Sequence, residues 1–186
     1  TLGLILSLAK KLPQSRDGLR KEGWSIRPQI TTFDLEGKTL GVLGMGRIGT
    51  AVARKASYGF GMKVLGYRRN LPGDICADYG ILTSDLDKVI RNSDFLSIHL
   101  PYTKDTFHLV SREKLELMKP DAYLLNLGRG EVVDQAALRE LLLSNRLAGA
   151  ALDVFEGEIP DADDPLLHMD QVIATPHIAG LSKQAM

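Results

Sequence analysis

Gly44, Gly46 and Gly49 stand between an apolar run, Leu40-Gly41-Val42-Leu43, and a stretch in which Ile48, Val52 and Ala56 recur at helical spacing. A strand that turns through three glycines into a helix can hold a pyrophosphate. Gly44 permits the tight bend, Gly46 lets the backbone approach the phosphates, and Gly49 lets the helix lie close to its strand. The helix N-terminus, at Arg47 and Ile48, then faces the anion. The spacing gains its force from this context of strand before and helix after. A protein kinase loop needs a strand after its glycines and later a catalytic aspartate loop, and the sequence offers neither. The turn is read as dinucleotide-binding.

Three later segments carry side chains capable of chemistry: Asn126-Leu127-Gly128-Arg129-Gly130-Glu131-Val132-Val133-Asp134, Asp153-Val154-Phe155-Glu156-Gly157-Glu158, and Thr175-Pro176-His177-Ile178-Ala179-Gly180. Arg129 offers a fixed fork of donors and a permanent charge, suited to a carboxylate and an adjacent carbonyl. A lone arginine between glycines is otherwise a solvated turn residue. A free imidazole has a pKa of about 6.5, so a histidine such as His177 suits proton transfer in both directions near neutrality, although a lone histidine is more often structural. Glu156, Glu158, Asp161, Asp163 and Asp164 form an acidic loop that a solvated surface would equally explain. His99, His108 and His168 lack metal-ligand spacing, so structural roles and no metal are expected.

These residues need elements to hold them. An amphipathic helix is expected from Leu2 to about Ala9, and a second from about Gln14 after Pro13. A polar connector, Gly23-Trp24 through Asp34, leads to the first strand. Beyond the glycine turn, strands are expected at Lys63 to Tyr67, Phe95 to Leu100, Tyr123 to Leu127, Ala148 to Val154 and Val172 to Thr175. Helices alternate with them: one capped by Ser84 and running to about Asn92, one capped by Ser111 and stopping near Lys119-Pro120, one capped by Asp134 and running to about Ser144. Such alternation predicts an α/β fold, a Rossmann-type doubly wound, mostly parallel sheet with helices on both faces and ligands at the carboxyl ends of the strands.

Composition agrees with one soluble cytoplasmic domain. The 186 residues are 44% hydrophobic and 25% charged, enough for a sizeable core. Lys plus Arg and Asp plus Glu each number 23, so no broad field favours nucleic acid or an anionic membrane. No apolar stretch is long enough to span a bilayer. The single Cys76 suits a reducing compartment and an inert role. Leu2 to Ala9 has no basic residue before it and Lys10-Lys11 after it, the reverse of a signal peptide. The chain opens on Thr1, inside the first helix, which suggests a segment of a longer protein.

In combination and in order, the glycine turn and the three later segments resemble the D-isomer-specific 2-hydroxyacid dehydrogenases over nearly the whole chain. Members include D-lactate, D-glycerate, D-3-phosphoglycerate and glyoxylate or hydroxypyruvate reductases. The resemblance implies a nucleotide-binding domain over 1–186, with residues 1–24 as a helical arm. It also implies a flavodoxin-like substrate domain formed by residues before Thr1 and after Met186. The implied reaction is reversible hydride transfer between a nicotinamide and C2 of a small 2-oxoacid or 2-hydroxyacid. By the same resemblance Arg129 orients the acid and polarises its C2 carbonyl, and His177 gives or takes the proton. Glu158 matches the carboxylate that holds and charges the imidazole, with Glu156 as a competitor and Ile159-Pro160 departing from the usual path. Asp153 matches the residue that bonds the nicotinamide carboxamide. Leu100, Pro101 and Thr106 would line the adenosine and ribose side, Leu127 and Gly128 would touch the coenzyme beside Arg129, and Ile178 to Gly180 would close the nicotinamide pocket. His177 separates the chain from formate dehydrogenases, which place Gln there. A homodimer is implied through the arm, whose Leu2, Leu4, Ile5, Leu8 and Leu12 give it an apolar surface. A dinucleotide-sensing corepressor of the C-terminal-binding-protein type, with the same fold and a similar Arg-Glu-His set, is the alternative.

Coenzyme choice is read at the end of the second strand. NAD-specific sites place an acid there, about 20 residues beyond the glycines, where it binds the ribose hydroxyls and repels a 2′-phosphate. Here Lys63-Val64-Leu65-Gly66-Tyr67 runs into Arg68-Arg69-Asn70, and Asp74 comes only beyond Pro72-Gly73. Two guanidinium groups can pair with the phosphate through charge-assisted bonds, each worth about 1.5–3 kcal/mol. NADP(H) is therefore expected as the preferred coenzyme and NAD(H) as the weaker substitute, the alternative being two solvated loop arginines.

Overall fold

A computed structural model describes residues 1–69 and 81–183. Asn70, Pro72, Gly73, Asp74 and Cys76 lie outside the described residues. Two helices, α1 (Leu2–Ala9) and α2 (Leu12–Glu22), and a 3-10 helix over Gly23–Gln29 precede strand β1 (Thr39–Leu43). Then follow α3 (Arg47–Phe60), β2 (Lys63–Tyr67), β3 (Leu82–Thr83), α4 (Leu86–Asn92), β4 (Phe95–Ile98), α5 (Arg112–Glu116) and β5 (Tyr123–Asn126). A 3-10 turn over Gly130–Val132, α6 (Gln135–Leu143), β6 (Gly149–Leu152), α7 (Pro165–His168) and β7 (Val172–Ala174) complete the chain.

Among the described residues the seven strands form one sheet in the order β3-β2-β1-β4-β5-β6-β7. Every neighbouring pair is parallel. The chain builds outward from β1 to β3, then crosses back to lay β4 on the other side of β1. That reversal opens a crevice at the carboxyl ends of β1 and β4, where such sheets take ligands. β4 and β6 are buried at every position. Near-continuous burial follows from coverage of both faces, since each residue of a strand meets one helical layer or the other. On one face Leu40, Val42, Val64, Phe95 and Leu125 pack with Ile5 and Leu8 of α1 and Val52, Ala53 and Ala56 of α3. On the other, Leu43, Leu96, Ile98, Leu124 and Leu152 pack with residues of α4, α5 and α6.

Several local expectations are corrected. Asp85, not Ser84, caps α4: its Oδ1 accepts the Lys88 N–H at 2.9 Å, while the Ser84 N–H bonds the Gly66 carbonyl. Ser111 stands at the start of α5 but its hydroxyl bonds Glu113, and the helix ends at Glu116, short of Lys119. Asp134 does cap α6, accepting the Ala137 N–H at 2.9 Å. α2 begins at Leu12 with Pro13 in its first turn, where the missing N–H costs no helical bond. The connector is a 3-10 helix over Gly23–Gln29, and β3 and α7 were not foreseen, being too short to show a period. The arm differs most: Ile5 and Leu8 are buried against the chain's own sheet, leaving Leu12, Leu19 and Trp24 as its exposed apolar side chains. Among the described residues no helix is long and apolar enough to cross a membrane.

Candidate active site

The glycine turn sits at the crevice beside the exit of β4. Gly44 has φ +100°, and a Cβ there would stand 2.7 Å from the His99 carbonyl oxygen. A Cβ on Gly49 would strike the Gly44 carbonyl, so α3 can lie this close to β1 only with glycine there. At Gly46 a Cβ would meet nothing within 4 Å. The space over Gly46 is open, and glycine there keeps it so for a group arriving from outside. Gly46 also heads α3 with no side-chain cap, so the first-turn N–H groups of Arg47, Ile48 and Gly49 have no intrahelical partner. Arg47 and Ile48 are exposed at that end. This cradle fits a pyrophosphate.

At the end of β2, Arg68 and Arg69 are both exposed, and Arg69 Nη1 lies 2.9 Å from Asp105 Oδ2. Asp105 belongs to the loop after β4. In that loop Thr106 is buried, its hydroxyl donating to the Pro101 carbonyl at 2.7 Å and accepting the Thr103 N–H at 2.8 Å. Thr106 thus braces the loop that carries Leu100 and Pro101, instead of offering its hydroxyl outward.

A cleft of about 900 Å³ opens at the carboxyl ends of β5, β6 and β7 and is lined by Arg129, Asp153, Glu158, His177, Pro101 and Tyr102, among others. Three loops bring the proposed catalytic set together. Asn126, buried at the end of β5, shapes the first: its amide donates to the Arg129 carbonyl at 2.9 Å and accepts the Gly128 N–H at 3.1 Å. Gly128 packs on Leu100 of the β4 exit, and Gly130 lies so tightly on the Phe155 and Glu156 backbone that no Cβ would fit. Arg129 is exposed between them, its Nη1 bonded to the Gly128 carbonyl at 2.7 Å. Leu127 is partly buried behind the turn.

Asp153 is 1% exposed and holds the last loop. Its Oδ1 accepts the Thr175 hydroxyl at 2.6 Å and the Ile178 N–H at 2.9 Å, its Oδ2 the Ala179 N–H at 2.9 Å, and its carbonyl the His177 N–H at 3.0 Å. Four bonds from one residue fix the backbone on both sides of His177. Ile178 and Gly180 are exposed at the rim.

Glu158 and His177 line the same cleft with no hydrogen bond between them, and both are non-glycine residues in the left-handed region, at φ +66° and +52°. Glu156, the competing carboxylate, is otherwise engaged: its Oε1 lies 2.9 Å from Nε2 of His108. Its N–H bonds Gln135 Oε1 at 2.9 Å, so the head of α6 also anchors the acidic loop. Farther along that loop, Asp164 pairs with Arg139 at 3.0 Å. Tyr102, Asn126, Gln135 and His108 were not anticipated as site residues. Asn126 opens the segment that carries Arg129, whereas contacts of Tyr102, Gln135 and His108 arise between segments distant in sequence and leave no local signal. Among the described residues no group of three or more His, Cys, Asp or Glu side chains is placed to hold a metal ion.

Residues 2–179 match the family described as D-isomer specific 2-hydroxyacid dehydrogenase, NAD binding domain. The chain is 40% identical to the D-3-phosphoglycerate dehydrogenase of Methanocaldococcus jannaschii, over 100% of this chain and 35% of that protein. Its fold superposes on the D-lactate dehydrogenase of Aquifex aeolicus, complexed with NAD and lactic acid, with a TM-score of 0.92 and 36% identity, covering 100% of this chain and 60% of that one. An acyclic imino acid reductase in complex with NADPH and D-Arg gives a TM-score of 0.86 and 34% identity, over 97% and 56% of the two chains. The chain therefore spans between a third and three fifths of the length of these relatives. It belongs to the D-isomer-specific 2-hydroxyacid dehydrogenase family and is a NAD-binding domain of that family.

Proposed function

We propose that the protein carrying this chain is a NAD(P)-dependent D-2-hydroxyacid dehydrogenase, EC 1.1.1.-, acting on a small 2-oxoacid or 2-hydroxyacid. The observation that carries the reading is the convergence of Arg129, Glu158 and His177, from three separate loops, on one cleft at the carboxyl ends of the strands. Arg129 binds the substrate carboxylate through its fork of donors and polarises the C2 carbonyl. His177 gives a proton to the C2 oxygen during reduction and takes it back during oxidation. Glu158, which has no hydrogen-bond partner for its carboxylate among the described residues, lines the same cleft and would hold the imidazole. Asp153 keeps the His177 backbone in place, its carboxylate bonded to Thr175, Ile178 and Ala179, and a contact to the carboxamide is the role that the family resemblance adds.

A bound nicotinamide supplies or accepts the hydride at C2. Gly44, Gly46, Gly49 and the head of α3 would hold its pyrophosphate. Arg68 and Arg69 stand where NAD-specific sites place an acid and support NADP(H) as the preferred coenzyme over NAD(H), although Asp105 pairs with Arg69. A substrate domain outside this chain would close over the cleft, exclude water and read the acid's side chain. The protein is further proposed to be a cytoplasmic homodimer.

The test is turnover of a panel of 2-oxoacids by the full-length protein with NADPH and with NADH. Reduction of at least one acid, faster with NADPH, is expected. Saturable coenzyme binding without turnover, together with recruitment of a peptide partner, would instead support the corepressor alternative. Arg68→Asp is expected to move preference toward NAD(H). Tighter binding of NAD(H) by the unaltered protein, or no movement on substitution, overturns the coenzyme assignment. Turnover at full-length rates by the 186-residue chain alone would overturn the need for a second domain.

A further inference from the structure

His108 has three features that the catalytic set does not use. Its backbone is in the left-handed region, at φ +46°, where a residue with a Cβ is rare. Its ring stacks on Phe107, with centroids 4.0 Å apart and planes inclined by 13°. Its Nε2 reaches Glu156 Oε1 at 2.9 Å, with the two side chains 30% and 35% exposed. The His108 N–H meanwhile bonds the Glu131 carbonyl at 2.8 Å, so this one residue joins the loop after β4 to the loops after β5 and β6. The carboxylate bonded to its ring is that of Glu156, and Glu131 touches it through the backbone.

Glu156 begins the turn that ends at Glu158. The two residues after it, Gly157 and Glu158, have φ of +82° and +66°. Two left-handed residues in succession have little intrinsic preference for their arrangement, and the second carries a Cβ that opposes it. The Glu158 N–H closes the turn on the Phe155 carbonyl at 3.2 Å, and side-chain bonds add to this at its base. Glu156 is that base, held at its N–H by Gln135 and at its carboxylate by His108. We propose that His108 is a positioning residue: through Glu156 it fixes the Glu156-Gly157-Glu158 turn and keeps the Glu158 carboxylate on the cleft that His177 lines. The proposal rests on the reading of Glu158 as the partner of His177.

The test uses the full-length protein and three single variants. His108→Asn tolerates the left-handed backbone but is too short to reach Glu156. Glu156→Ala breaks the same bond from the other side. Glu158→Gln is the reference: it removes the anion that the proposed function sets beside His177, and it is expected to move the pH profile of reduction. Both His108→Asn and Glu156→Ala are expected to lower kcat by roughly 3- to 30-fold, the range of coupling between residues in one network, with coenzyme KM unchanged. Each should move the pH profile in the direction of Glu158→Gln, by less. The double variant should be no worse than the poorer single variant, because both remove one bond. If Glu158→Gln moves the profile but His108→Asn and Glu156→Ala change only thermal stability, the positioning role is overturned and the Glu158 reading stands. If Glu158→Gln leaves the profile unmoved, both fall together.

Discussion

The turn after β1 and the loops after β5, β6 and β7 open on the same end of the sheet yet are built on opposite principles. In the turn the backbone does the work, and glycine is present because nothing else fits: Gly44 has φ +100° and would carry a Cβ 2.7 Å from a carbonyl oxygen. In the loops the side chain does the work, and the backbone yields to it. Glu158 and His177 occupy the left-handed region at φ +66° and +52°, and His108 beside them at +46°. Each such position costs about 1–3 kcal/mol and persists where the surroundings over-determine it. The Asp153 clamp and the Gln135 and His108 bonds to Glu156 are those surroundings. A glycine at positive φ marks a conformation that is needed; a glutamate or histidine there marks a side chain kept against its backbone preference.

The widest separation of side-chain from backbone roles is expected at His177. His177→Ala in the full-length protein should lower the rate by roughly 10²- to 10⁴-fold, the usual share of general acid–base catalysis, with coenzyme affinity little changed. His177→Gly should lose as much activity yet unfold at a higher temperature than His177→Ala, since glycine enters the left-handed region without the Cβ penalty of about 1–2 kcal/mol. Equal melting temperatures would show that the loop imposes no strain on this residue.

His99 packs on the turn from the end of β4, with its carbonyl against Gly44 and its Nε2 2.9 Å from the Ser97 hydroxyl. Burial lowers its pKa from 6.5 to about 4. Between these values the unfolded chain binds a proton that the folded chain refuses. The contribution to stability is therefore complete above about pH 6.5 and is lost as pH falls through about 4, an effect on the order of 3 kcal/mol. Denaturant unfolding across that window should show a shallower acid loss in His99→Gln, which removes the titration and keeps a partner for Ser97. Parallel curves for the two proteins would show that His99 protonates as easily folded as unfolded.

Within the turn, Gly44 and Gly46 separate folding from binding. Gly44→Ala should lower stability by about 1–3 kcal/mol, through its φ and its contact with the His99 carbonyl. Gly46→Ala meets nothing within 4 Å and should melt like the unaltered protein, while binding either coenzyme several-fold more weakly. Undiminished coenzyme affinity in Gly46→Ala would remove the pyrophosphate from this turn.

The same contrast explains how much was legible in the sequence. The glycine turn declares itself because sterics require glycine at Gly44 and Gly49, and the parallel sheet declares itself through apolar runs at Leu40, Phe95 and Tyr123. Arg129, Glu158 and His177 are expected as site residues from motif order and family resemblance, and the three line one cleft. What tied the loops together was not legible. His108 and Glu156 are 48 residues apart and Gln135 and Glu156 21 apart, so their contacts depend on where the loops end up. The cap of α4 was misplaced by one residue because Ser84 and Asp85 are both good caps, and only the register of the Gly66 bond to Ser84 decides between them. The buried face of α1 was misassigned because an apolar stripe shows that a partner exists without showing whether that partner is a second protomer or the chain's own sheet.

The smallest expected effect lies at the end of β2, where Arg69 meets the loop after β4. Arg69 Nη1 stands 2.9 Å from Asp105 Oδ2, with the side chains 56% and 71% exposed. So exposed a pair is worth about 0.2–1 kcal/mol and weakens with salt. In the NADP(H) reading Arg69 is one of two donors for the 2′-phosphate, and a carboxylate at the same guanidinium both occupies it and repels the incoming anion. Asp105→Asn should therefore tighten NADP(H) by roughly two- to fivefold, the size of the lost pair, and leave NAD(H) unchanged. The gain should shrink as ionic strength rises, because the repulsion acts between exposed groups. An equal gain for both coenzymes would make Asp105 a general electrostatic neighbour of the site, and no gain for NADP(H) would take Arg69 out of phosphate recognition and leave Arg68 to carry it.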